Sequence, residues 1–269
     1  HGHHHGTGFF APHSHYHGDS KTRMAEHMHD HSDRWTSVAF TDNLVVDPEG
    51  YGLRYEDQNH AGDDRTANSE STEALNDPHV HHTDIVLARN TIRGGQLWID
   101  VFNADDSNHE TRNPGTLTIA GNTIELAERS KEEYSKLCQV IWFGDNYDVS
   151  SAIHVQFAKE VATAIVDNRL VYVPLKQAPD PVTAARNLVG QTLDECVLWA
   201  KDHTPTAIRL EDIRDADLTI EGNTATGFGV GVGATFMDGK TGWRVVGNDF
   251  GKARPIVYDD TVENKPTTT

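Results

Sequence analysis

Apolar residues fall along this chain in short runs that alternate with polar positions and are broken by Gly, Asn and Asp. Ile85-Val-Leu87, Gln96-Leu-Trp-Ile-Asp-Val-Phe102, Ile153-His-Val-Gln-Phe157 and Leu170-Val-Tyr-Val173 are examples. A period of two bounded by turn residues predicts β-strands, not helices. The breaks are themselves patterned. In Leu87-Ala-Arg-Asn90, Ile119-Ala-Gly-Asn122, Phe143-Gly-Asp-Asn146, Ile165-Val-Asp-Asn168, Ile220-Glu-Gly-Asn223 and Val245-Val-Gly-Asn248, an apolar residue stands three positions before an Asn. Ala184-Ala-Arg-Asn187 is a weaker seventh member, which fits a helical turn equally well. Successive intervals are 32, 24, 22, 19, 36 and 25 residues, which predicts a repeat of about 22–25 residues with loops inserted into some units. Asn43 fits the same series two units before Asn90.

Asn tolerates the left-handed backbone region and bonds its own backbone, so it suits a tight turn between strands. Stacked at one position in successive units, its amide can bond the next in a ladder. The pattern resembles the right-handed parallel β-helix with pectate-lyase-like and NosD-like repeats, over residues 36–258. The resemblance implies an all-β, right-handed parallel β-helix solenoid of roughly 8–10 coils. A His-rich N-terminal segment (1–35) would precede it and a frayed tail (259–269) would follow.

Within that frame Trp35–Val46 reads as the first unit, and the glycine-rich Gly227–Ala234 as a strand that permits close backbone approach. That stretch is not a phosphate loop, because no Lys-Ser/Thr and helix follow it. Pro174 marks a strand end, and Glu125–Lys136 reads as a short helix or loop. His154 alternates with Ile153 and Val155 and is expected on the outside, as a surface residue.

A hydrophobic content of 36% suits a thin solenoid with long polar loops. The net charge of −18, from 41 acids against 23 bases, disfavours nucleic acid and anionic membrane as partners. No run of 18 apolar residues is present. The chain starts at His1 without an initiator methionine or signal peptide, so an upstream piece is expected to have been removed. The expected location is extracellular, cell-surface or periplasmic. Cys138 and Cys196 fall on different units, which leaves a disulfide and two buried thiols both open.

Chemistry concentrates at the N-terminus, where residues 1–35 hold ten of the 17 histidines. His1, His3, His13, His15, His17, His27, His29 and His31 alternate with other residues, and alternate positions of an extended chain share a side. Such pairs, joined by His81, are candidate ligands for Zn, Cu, Ni or Fe. A solvated polar arm and His packing within a multimer are the competing readings. A copper chelate at a true N-terminal His1 is a further variant.

Asp77-Pro78-His79 resembles the start of the Asp-Pro-His-Asp/Glu motif of mannuronan C5-epimerases, another β-helical family. The resemblance implies Asp77, His79, Asp105 and Arg129 as catalytic-groove residues. It spans about 50 residues, and Val80, Ala74 and Ser130 depart from the family's acid, Tyr and His. Glycoside hydrolysis would instead need a carboxylate pair, for which Asp100, Asp105, Asp106, Asp145 and Asp148 are candidates.

The expected function is a secreted or surface β-helix that binds or processes polysaccharide. If it is an enzyme, it is a lyase, epimerase or glycoside hydrolase. The alternative is a structural or assembly protein, filament-like or spike-like, whose HxH segments bind a transition metal. The expected partners are polysaccharide and a second copy of the chain at the β-helix ends.

Overall fold

The computed structural model describes residues 27–30, 35–46, 53–57, 82–100, 115–128, 151–174 and 205–268. Their regular structure is entirely β, and every strand pairing is parallel. The chain visits three sheets in turn. The first round is β1 (His27–Asp30), β2 (Trp35–Thr41) and β3 (Leu44–Val46). Next come β4 (Leu53–Asp57), β5 (His82–Ala88) and β6 (Thr91–Arg93), then β7 (Leu97–Asp100), β8 (Gly115–Ala120) and β9 (Thr123–Ala127). β10 (Ser151–Lys159), β11 (Val161–Val166) and β12 (Arg169–Val173) follow, then β13 (Thr206–Arg214), β14 (Asp217–Glu221) and β15 (Thr224–Thr226). β16 (Val230–Met237) and β18 (Arg254–Tyr258) complete the first sheet. β17 (Gly242–Val246) and β19 (Thr267–Thr268) complete the second.

In-register pairing turns the alternating pattern into rows of stacked side chains. Leu53, Leu97, Ile153, Ile208 and Val232 form one row of the first sheet. Leu87, Ile119, Ile165, Ile220 and Val245 form one of the second, and Val45, Ile92, Ile124, Leu170 and Ala225 one of the third. All are buried and belong to a single apolar core. Full burial of each larger aliphatic side chain contributes about 1.5–3 kcal/mol. Thr163 is the polar member of its row, and its hydroxyl donates to the Val161 carbonyl.

One corner, between the second and third sheets, is held by asparagine. Asn43, Asn90, Asn122, Asn168, Asn223 and Asn248 are direct neighbours. Each Oδ1 from Asn90 onward accepts from both the backbone N–H and the Nδ2 of the Asn before it, at 2.9–3.1 Å. Each Nδ2 from Asn90 onward also donates to the carbonyl of Phe40, Leu87, Ile119, Ile165 or Ile220. That carbonyl belongs to the residue three before the preceding Asn, which is the physical content of the apolar-x-x-Asn pattern. The residue before each Asn is left-handed: Asp42, Arg89, Gly121, Asp167, Gly222 and Gly247 have φ of 53–68°. Glycine and aspartate take that region at least cost. Arg89 is the exception, and it makes two hydrogen bonds to Asp42 of the round before, at 2.8 and 2.9 Å.

The repeat differs from the sequence expectation in its steps. Asn122 bonds Asn168 directly, and Asn168 bonds Asn223 directly, so the ladder has no step for Asn146 or Asn187, which lie outside the described residues. Asn43 is one step from Asn90, not two. The true steps are 47, 32, 46, 55 and 25 residues. The surplus in the long steps falls between β4 and β5, β7 and β8, β9 and β10, and β12 and β13. All four insertions therefore flank strands of the first sheet, and the asparagine corner receives none.

Two smaller expectations are also corrected. The first residues of the stretch Glu125–Lys136, namely Glu125, Leu126 and Ala127, lie in β9, where pairing with β12 gives their backbone an extended partner; residues 129–136 lie outside the described residues. The C-terminal residues are seated, not frayed: Val262 is buried, Trp243 Nε1 donates to the Asn264 carbonyl at 2.8 Å, and β19 pairs with β17. Pro174 does follow the end of β12, and Gly231 does allow a close approach, by the Phe250 ring.

Candidate functional site

The residues singled out from the sequence for catalysis, Asp77, His79, Asp105 and Arg129, lie outside the described residues. So do His1, His3, His13, His15, His17, His31, His81, Cys138 and Cys196. His27 and His29 lie in β1, at register positions opposite Arg54 and Glu56. Asp100 ends β7, in register with Gln156. Among the described residues no three His, Cys, Asp or Glu side chains stand together as a metal site, and no helix is long and apolar enough to cross a membrane.

The described chemistry sits on the outer face of the first sheet. In-register pairing places Trp98 of β7, His154 of β10 and Arg209 of β13 in one row. Neighbouring strands lie about 4.8 Å apart, so planar groups in one row stack. The Trp98 and His154 rings do so, with centroids 5.0 Å apart and planes 17° from parallel. Two residues further along sits a second row on the same face: Asp100, Gln156, Glu211 and Thr235. Glu211 is the diagonal neighbour of His154, and its Oε2 lies 3.1 Å from His154 Nε2. Arg209 Nη2 lies 3.8 Å from the same oxygen.

His154 overturns its expectation as a surface residue. Its alternation with Ile153 and Val155 does place it on the outer face, yet its side chain is only 1% exposed. Trp98 and Gln156 on that face are buried too, while Leu97, Ile99, Ile153 and Val155 are buried on the opposite one. The first sheet is therefore covered on both sides at β7 and β10. Arg209 and Glu211 remain partly open, at 21% and 19%. The result is a graded site: an indole and an imidazole out of water, then a carboxylate and a guanidinium at the margin.

Physically, Glu211 is a positioned carboxylate. His154 and Arg209 approach one of its oxygens, which orients the group. An imidazole hydrogen-bonded to a carboxylate is also a pair that can hold and pass a proton. The sequence carried part of the signal, since Leu97-Trp-Ile99 and Ile153-His-Val155 both show a polar-capable ring between two core residues. Their pairing across more than 50 residues of chain was not readable from spacing.

Two carboxylates elsewhere among the described residues, Asp42 and Asp238, have structural partners. Hydrogen bonding and charge attraction from Arg89 hold Asp42 below the usual carboxylate range, on an exposed part of the asparagine corner. Desolvation alone would push Asp238 up. Hydrogen bonds from the Thr241 hydroxyl and from the N–H groups of Asp215, Thr241 and Lys240 outweigh it and hold Asp238 low.

No protein-family model, no characterised protein and no solved structure matches this chain.

Proposed function

We propose that this chain is a right-handed parallel β-helix that binds and processes polysaccharide at the β13 margin of the outer face of its first sheet, where Arg209 and Glu211 are open. The solenoid reading is supported by the cyclic visits to three parallel sheets and by the unbroken asparagine corner. The functional reading rests on one observation: the Trp98, His154, Arg209 and Glu211 cluster on one face of the first sheet, a stacked ring pair beside a positioned carboxylate and a guanidinium.

Glu211 is the proton-transfer group, His154 sets its orientation, and Arg209 supplies positive charge at the margin. Asp100 occupies the same register row two strands away. Among lyase, epimerase and hydrolase we favour hydrolysis, in which Glu211 gives or takes the proton and a second carboxyl group completes the pair. The test is a panel of soluble uronate and neutral glycans, scored for binding and for new reducing ends, with Glu211→Gln beside the wild-type protein. The reading expects binding by both and cleavage by the wild type alone. No binding to any glycan, or full activity of the variant, would overturn it.

A second reading has its own observation. β1 puts His27 and His29 at alternate positions of the edge strand of the same sheet. Metal held there and by the neighbouring HxH segments would serve assembly. This reading expects stoichiometric metal in protein never exposed to a metal column, and a fall in particle mass with excess chelator. Absence of both would remove it.

A further inference from the structure

Phe236 is a large apolar side chain that is 57% exposed and has a left-handed backbone, with φ of 54°. Each property is unfavourable, and neither offsets the other. A bulky side chain in the left-handed region is strained, and an exposed phenyl ring gains no burial in return. The adjacent strand shows the ordinary solution. Asp212, opposite Phe236 in the register of β13 and β16, has φ of 55°, and aspartate tolerates that region.

The strained backbone is held from outside. The Thr261 hydroxyl accepts from the Phe236 N–H at 2.9 Å, and the Thr261 carbonyl accepts from the Met237 N–H at 3.1 Å. Thr261 is itself fixed by hydrogen bonds from its N–H and hydroxyl to the Asp259 carboxylate. Strain kept in place by surrounding structure is a mark of a used residue.

Its location gives the use. Phe236 follows Thr235, which is in register with Glu211. One strand spacing and one residue separate the Phe236 and Glu211 backbones, about 6 Å. We infer that Phe236 is a stacking platform for a sugar ring, at a subsite one strand beyond Glu211. The exposed phenyl would meet the apolar C–H face of a pyranose, while Glu211 acts on the chain beside it. This inference rests on the polysaccharide reading above.

The test compares wild-type, Phe236→Gly, Phe236→Asn and Phe236→Tyr proteins by affinity electrophoresis in alginate, polygalacturonate and a soluble neutral β-glucan. Denaturant midpoints are measured on the same samples. Glycine and asparagine both accept the left-handed backbone, so both variants are expected to unfold at higher denaturant. Both should bind the retained glycan about tenfold more weakly, as for loss of one aromatic anchor. Tyrosine should bind like the wild type. Higher stability with undiminished binding in either variant, while the wild type binds, would overturn this inference and leave the polysaccharide reading standing. If the wild-type protein binds none of the three glycans, both fall together.

Discussion

Asn168 sits mid-ladder, and its truncation gives a worked test of how the corner is held. Its Oδ1 accepts from Asn122 N–H and Nδ2, and its Nδ2 donates to the Ile119 carbonyl and Asn223 Oδ1. Asn168→Ala deletes all four bonds in a site where Asn122, Asn168 and Asn223 are at most 1% exposed. Two Asn122 donors are then left in a dry environment at about 1–3 kcal/mol each, so the expected loss is about 4 kcal/mol. Asn43→Ala is the control. Asn43 is at the end of the ladder and half-buried; its side chain only donates, to Thr41 and Asn90. That loss strands acceptors near water and should cost about 1 kcal/mol.

Asn168→Asp sharpens the test. It keeps the shape but turns the donor into an oxygen facing two acceptors, the Ile119 carbonyl and Asn223 Oδ1. The folded-state pKa of the new carboxyl is therefore raised above its unfolded value of about 3.9. Its penalty should be smallest below that unfolded value and grow as pH rises through the folded pKa. Guanidinium unfolding followed by circular dichroism at pH 4 and pH 8 reads both effects. Equal losses for Asn43→Ala and Asn168→Ala, or a pH-independent penalty for Asn168→Asp, would refute the ladder as the source of stability.

Two further outcomes follow from packing and charge. A Cβ at Gly231 would stand 2.5 Å from the Phe250 ring and 2.6 Å from the Pro255 carbonyl, so Gly231→Ala should cost about 1–3 kcal/mol in the same unfolding assay. A neutral effect would mean that the last rounds shift freely. Asp238 has a depressed folded pKa, so its contribution is present above the ordinary carboxylate value and is lost as pH falls through the folded one. Thermal melts of wild-type and Asp238→Asn proteins should differ at pH 7 and converge toward pH 3, whereas a constant difference would show that the Thr241 and Asp215 bonds do not depend on charge.

The strand pattern and the asparagine corner were legible because both are local: alternation marks the strands, and Ile119-Ala-Gly-Asn122 needs no knowledge of its neighbours. Membership of the ladder was less so. Phe143-Gly-Asp-Asn146 carries the same local signal, yet Asn122 bonds Asn168. Local sequence cannot tell a step from an insertion when insertions are as long as a round. His154 shows a second limit. Period two assigned its face correctly, but facing outward equals exposure only when nothing covers the sheet, and cover depends on distant chain. Phe236 shows a third, because phenylalanine is a poor predictor of a left-handed backbone and nothing nearby flags one.

The asparagine corner also has a mechanical consequence. Every bond between ladder neighbours runs one way, from a donor on one Asn to the oxygen of the next. Pulled from its C-terminal end, the molecule should yield one rung at a time, with closely similar rupture forces, because each rung is chemically the same. The lengths released should be unequal. Steps of 25, 55, 46, 32 and 47 residues correspond to about 85, 185, 155, 110 and 160 Å of extended chain. A single-molecule pulling trace would then read out the insertions in order, as uneven extensions between even peaks of force.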